Sequence, residues 1–180
     1  LSAANYTFEQ KASNATALTI TQATPVISWS DPSGITYGTA LSATQLNATA
    51  NVAGSFTYTP ALNAKLNAGD DQTLSVTFTP ADATNYTGAS KEVSIDVAKA
   101  KLTYEATAAT RAYAAADPAF GGEVVGFVNG GTKASATTGT LVFNTRATNT
   151  SPVGSYPING SGLSAANYTF EQKASNATAL

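Results

Sequence analysis

The chain has 180 residues, 43% hydrophobic and only 11% charged, with a formal net charge of −2. It contains no histidine, cysteine or methionine; this excludes Ser-His-Asp and Cys-His nucleophile systems, the common His/Cys zinc sites and any disulfide. Nine basic residues against eleven acidic ones leave no cationic patch for nucleic acid, and no apolar run approaches the roughly 18 residues of a membrane span.

The first eighteen letters, LSAANYTFEQKASNATAL, return unchanged as residues 163–180. Residue 1 recurs at 163, a period of 162, longer than the roughly 20–50 residues of solenoid repeats, so each unit should hold whole domains. No signal-peptide pattern opens the chain, and it reads as the interior of a longer tandem array. Within the repeat, Asn5-Tyr-Thr-Phe8 and Ala17-Leu-Thr-Ile-Thr21 read as two strands around a polar turn at Lys11 to Asn14. Residues 1–22 are therefore expected to be the terminal strands of a preceding repeat. They should either dangle or complete the sheet of a neighbouring copy.

Residues 23–98 read as a β-sandwich. Gln72-Thr-Leu-Ser-Val-Thr-Phe-Thr79 alternates, with Leu74, Val76 and Phe78 on one face, and Val93-Ser-Ile-Asp-Val97 does the same. This period of two marks half-buried antiparallel strands. Val26–Trp29 and Ser55–Tyr58 are shorter candidates. Asp31-Pro-Ser-Gly34, Asn67-Ala-Gly-Asp70 and Pro80-Ala-Asp82 are turn formers, and Ala40 to Leu46 allows one helical turn. Residues 99–180 read as a second β domain, lacking most of its last strand. Its candidates are Leu102–Tyr104, Glu123–Val128, Gly139–Phe143 and Tyr156–Ile158, with a helical turn over Thr132 to Thr137. No Pro/Gly/Ser linker separates the halves near Ala98–Lys101, so two closely coupled domains in a stiff rod are expected. Asp82-Ala-Thr-Asn-Tyr86 and Ser164-Ala-Ala-Asn-Tyr168 recur at matching places. In each, a tyrosine at the entry to a late strand should pack inward, with its hydroxyl on nearby backbone, and the Asp or Ser should tie the turn.

The run from Thr36-Tyr-Gly-Thr39 through Phe56-Thr-Tyr-Thr-Pro60, Leu66-Asn-Ala-Gly69 and Leu74–Pro80 to Asn85-Tyr86 resembles the bacterial immunoglobulin-like repeats of giant surface proteins. Arg111-Ala-Tyr113, Asp117-Pro118, Gly126–Gly130, Val153-Gly-Ser-Tyr156 and Asn167-Tyr168 resemble the MBG domain of bacterial adhesins, with Tyr113-Ala114 where that family usually has Tyr-Gly. Together the resemblances imply an all-β chain of two tandem immunoglobulin-like and MBG-type sandwiches with little helix. They imply stalks and spacers of secreted or surface-anchored adhesins, and they bring no catalytic residues.

Each chemical candidate has a plainer structural reading. Asp31, Asp70, Asp71 and Asp82 would have to converge from separate loops to hold calcium, and adjacent acids in turns are usually just solvated. Lys91, Lys99 and Lys101 with Glu92 or Glu105 are raw material for a Lys–Asn crosslink, but charged side chains at strand ends are normally exposed. Trp29 with Tyr37 and Tyr58 could form a sugar platform, though a lone Trp in a sandwich strand is more often its core plug. The threonine rows (Thr19 and Thr21; Thr73, Thr77 and Thr79) are good exposed strand residues. The eight Asn-x-Ser/Thr sequons, at Asn5, Asn14, Asn47, Asn85, Asn149, Asn159, Asn167 and Asn176, follow from composition.

The expectation is therefore a non-enzymatic structural module of a bacterial cell-surface or extracellular fibre, with no catalytic, cofactor or metal residues. Its expected partners are neighbouring copies joined head to tail by strand donation, without nucleic acid or membrane insertion. The alternative is a module binding a glycan or host-surface protein through end loops, best sought at Asp117 to Gly122 and Asn144 to Pro152.

Overall fold

The computed structural model describes residues 4–180. The fold is all-β. Its first half runs through β1 (Ile27–Ser28), β2 (Ile35–Thr36), β3 (Thr49–Ala50), β4 (Gly54–Thr59), β5 (Gly69–Pro80) and β6 (Ala89–Ala98). The second half runs through β7 (Ala100–Ala106), β8 (Gly122–Val125), the short helix α1 (Lys133–Ala136), β9 (Thr138–Thr145), β10 (Ile158–Ser164) and β11 (Tyr168–Gln172).

In the first half a four-stranded sheet of order β2-β6-β5-β4 is accompanied by the pair β1-β3. The alternation in β5 and β6 does what period-two patterning demands: Leu74, Val76 and Phe78 of one strand and Val93, Ile95 and Val97 of the other are buried. Ile27, Trp29, Leu41 and Leu46 close this core from the other side. Trp29 is a core residue; its indole N–H donates to the Gln45 carbonyl at 3.0 Å and its ring meets Tyr58 edge-on at 5.4 Å. The expected turn between Ala40 and Leu46 is a single one, in which the Leu46 amide donates to the Ser42 carbonyl at 3.0 Å.

The second half has its own core of Leu102, Tyr104, Val124, Phe143, Ile158 and Tyr168. It lies among a three-stranded sheet of order β11-β7-β8 and the pair β10-β9. The helical turn expected over Thr132 to Thr137 forms as α1, with Thr132 and Ser135 making a reciprocal capping box. The candidate strand Tyr156–Ile158 is displaced: β10 begins only at Ile158 and runs on through Asn159-Gly-Ser-Gly. A Cβ at Gly160 would stand 2.6 Å from the Tyr104 ring, so the glycine lets a strand pass close over a buried aromatic.

The repeated segment takes two forms. In the second copy Tyr168–Gln172 is strand β11, paired in parallel with β7 from Tyr168↔Ala100 to Gln172↔Tyr104, and it is followed by a 3-10 turn at Ala174–Thr178. In the first copy the 3-10 turn forms again, at Ala12–Thr16, but Tyr6–Gln10 is no strand and residues 4–24 are exposed throughout. Two expectations are corrected here: the polar turn is a 3-10 helix, and neither Asn5–Phe8 nor Ala17–Thr21 is a strand. A 3-10 turn closes its own hydrogen bonds, whereas an isolated strand has no partner for its backbone and needs a sheet to join. Residues 1–3 of the expected donor segment lie outside the described residues.

Candidate functional site

Two places combine geometry with a use: the joint between the two cores and the far end of the second half. At the joint β6 ends at Ala98 and β7 begins at Ala100, leaving Lys99 alone between them. Contacts cross beside it. The Ala68 amide donates to Asn167 Oδ1 at 2.9 Å, and Asn167 Nδ2 donates to Asn67 Oδ1 at 3.1 Å. Tyr37 meets Tyr168 edge-on at 5.2 Å. Gly38, at φ +104°, lies so near Val128 that a Cβ there would be 2.8 Å from a valine methyl. Tyr168 anchors the joint from within the second core: its hydroxyl accepts from the Val128 amide at 3.1 Å and donates to the Val128 carbonyl at 3.2 Å. The inward tyrosine expected at this corner is therefore present, with its backbone partner forty residues upstream rather than nearby. Its counterpart Tyr86 is half-buried, and its backbone bridges Ala23 in parallel.

The corner turn of the first half is held as expected by Asp82. Its carboxylate accepts from the Thr84 and Asn85 amides, both at 3.1 Å, and from the Asn85 side chain at 2.8 Å. The Asn85 side chain first, and then the Asn85 and Thr84 amides, hold the Asp82 carboxyl below its ordinary value.

At the far end Arg111 ties two loops together. Its Nε approaches Asp117 Oδ1 at 2.6 Å, and its Nη2 donates to the Thr148 carbonyl. The Ala114 amide adds a bond to the Asn149 carbonyl at 3.0 Å. The two loops singled out for a ligand are thus packed on each other. Ala114 follows Tyr113 at φ +66°, as Gly38 follows Tyr37 at +104°. A Cβ is penalised by roughly 1–2 kcal/mol in this left-handed region, and a new glycine returns part of that through unfolded-state freedom. Ala114→Gly is expected to raise stability by about 0.5–1 kcal/mol, read as a higher urea midpoint at unchanged slope.

The remaining candidates lie apart. Asp31 Oδ1 accepts from the Ser94 amide at 2.9 Å and Asp96 Oδ1 from the Asp71 amide at 2.9 Å, while Asp82 holds its own turn. Among the described residues no three acidic side chains gather as a metal site would require. Lys101 pairs with Glu171 at 3.0 Å, Lys173 with Glu105 at 2.6 Å, and Lys91 reaches the Ile27 carbonyl at 3.5 Å. Trp29 and Tyr58 share the first core while Tyr37 sits at the joint, so no aromatic platform is assembled.

Asn176 is a residue that sequence reading missed. It is 1% exposed and fully bonded. Its Oδ1 accepts from the Ala106 amide at 2.9 Å, and its Nδ2 donates to the Tyr104 carbonyl and to Gln172 Oε1, both at 2.9 Å. The available signal was the spacing Gln-x-x-x-Asn, which makes the same side-chain bond between Gln10 and Asn14 at 2.8 Å.

Among the described residues no helix is long and apolar enough to cross a membrane. Residues 102–178 match the family model of the MBG domain (YGX type), so the second half carries an MBG domain. No curated protein and no solved structure matches the chain.

Proposed function

We propose that the chain is a structural repeat module of a bacterial surface or extracellular adhesin, acting as a stiff stalk whose units follow one another head to tail. The observation that carries this reading is the joint. One residue separates β6 from β7, and the Asn67–Asn167 pair, the Tyr37–Tyr168 contact and the Gly38–Val128 approach fasten the two cores beside it. Flexible linkers let domains reorient; a bonded joint of this kind holds them in one orientation. The MBG match supports the repeat-module part. A surface with few titrating groups suits a part whose task is to keep its shape as salt and pH change. The two sandwich-type units, 23–98 and 99–180, are the mechanical elements, and the role asks no catalysis of either.

Residual dipolar couplings test it. The two halves are expected to share one alignment tensor, and insertion of Gly-Ser-Gly after Lys99 is expected to separate them. Independent tensors in the unaltered chain would remove the stiff stalk. Saturable binding on a glycan array would replace it with a binding module.

A further inference from the structure

The sequence holds two Asn-Gly dipeptides, Asn129-Gly130 and Asn159-Gly160. Asparagine is among the chemically labile residues, and a following glycine leaves its own nitrogen unshielded by any side chain. Stripped of its proton by hydroxide, that nitrogen bonds to the asparagine Cγ, and the side-chain nitrogen leaves as ammonia. Water then opens the resulting succinimide at either carbonyl, giving aspartate or isoaspartate. One water is consumed and one ammonia released, and no other reactant is needed.

The fold treats the two dipeptides differently. Asn159 stands opposite Asn144, and Gly160 opposite Phe143, in the β10–β9 ladder. Gly160 is buried; its amide donates to Gln172 Oε1 at 3.0 Å and its carbonyl accepts from Gln172 Nε2 at 2.7 Å. Attack by this nitrogen requires the ladder to come apart. Asn129 and Gly130 are exposed, at φ +57° and +71°, the paired positive values of a type I′ turn. One backbone bond closes that turn, from the Gly131 amide to the Val128 carbonyl at 3.0 Å. Among the described residues the Gly130 amide has no backbone acceptor. A Cβ at Gly130 would meet nothing within 4 Å, so a succinimide ring has room to form. Rotation about the Asn129 Cα–C bond, which brings the Gly130 nitrogen to Cγ, needs only the turn bond to open. Opening one bond in an exposed turn costs far less than parting two strands.

We propose that Asn129 is a modification site, deamidating spontaneously to isoaspartate, and that this product unfastens the joint. The second step rests on the stiff-stalk reading above. Asn129 and Gly130 line a cleft of about 360 Å³ together with Tyr37, Asn167 and Tyr168, the residues that fasten the two halves. Isoaspartate adds one carbon to the main chain within the turn and a negative charge beside the cleft. The lengthened turn cannot keep the Gly131 amide on the Val128 carbonyl. Val128 holds the Tyr168 hydroxyl through both its backbone groups and lies against Gly38 across the joint. Its displacement therefore reaches the fastening directly. A stalk unit grows pliant with age, at a pace set by the hydroxide concentration around it.

Two measurements on the full chain test it. The folded chain is held in mildly alkaline buffer and digested, and its peptides are read by mass and by isoaspartyl methyltransferase labelling. Conversion at Asn129 is expected to run at least about tenfold faster than at Asn159, with the two rates converging in urea. Equal rates in the folded chain, a faster Asn159, or a preference that persists in urea would overturn the fold-selected site. Residual dipolar couplings read the consequence. The fresh chain and Asn129→Asp, which carries the charge on an unlengthened backbone, are expected to keep one alignment tensor, and the isoaspartate form to show two. One tensor after conversion, or two in Asn129→Asp, would overturn the unfastening by the lengthened turn. Two tensors in the fresh chain would remove the stalk reading and the unfastening with it, while a fast Asn129 would still stand as the modification site.

Discussion

Replacing Asn176 by alanine is expected to lower the stability of the chain by about 3 kcal/mol, whereas the same replacement at Asn14 is expected to leave it unchanged. The two asparagines stand in identical eighteen-residue contexts, and each donates its backbone amide to the lysine three residues before it and its side-chain amide to the glutamine four residues before it. They differ in surroundings. Asn14 lies in solvent, where water replaces whatever is removed. Asn176 is enclosed and serves the Ala106 amide and the Tyr104 carbonyl of β7. Truncation leaves the amide buried without an acceptor, and a buried orphan costs about 1–3 kcal/mol in addition to the bonds lost. Urea unfolding followed by far-ultraviolet circular dichroism reads both variants. Equal effects at the two sites would mean that the second copy is not packed as described.

Tyr168→Ala is expected to cost about 4 kcal/mol, and Tyr168→Phe about 1–2 kcal/mol. Tyr168 is 3% exposed, against 78% for its twin Tyr6, where the alanine change is expected to be silent. The aromatic ring contacts Phe127 and, across the joint, Tyr37, at centroid distances of 5.8 and 5.2 Å. Deleting it opens a cavity where both halves meet. Phenylalanine keeps the ring and isolates the hydroxyl, which satisfies both backbone groups of Val128. The single tryptophan, Trp29, sits in the first core, while circular dichroism follows both halves. Tyr168→Ala should therefore pull the two transitions apart, with fluorescence moving less. Coincident transitions would show that the halves unfold as one unit even without the tyrosine.

What was legible in the letters was whatever local periodicity controls. Leu74, Val76 and Phe78, then Val93, Ile95 and Val97, announce their buried faces without help, and Thr132-x-x-Ser135 announces a capped turn. β10 stayed hidden because Asn159-Gly-Ser-Gly owes its strand to a neighbour, the Tyr104 ring under Gly160, not to its own propensity. Asn176 stayed hidden because Asn-Ala-Thr looks like a turn whether or not β7 lies against it. The repeated segment marks the boundary most sharply. One string of letters is strand at Tyr168–Gln172 and not at Tyr6–Gln10, so nothing inside the string can decide.

The parallel pairs described in the fold have a mechanical consequence. In each half a strand near the entry of the chain lies parallel to one near its exit: β2 beside β6 and β7 beside β11. Pulling the chain from its two ends slides such partners past each other, so their cross-links are stretched together instead of being opened in turn. The second half presents five paired positions to that sliding load and the first half three, two between β2 and β6 and the bridge Ala23↔Tyr86, so under an external force the first half is expected to yield first.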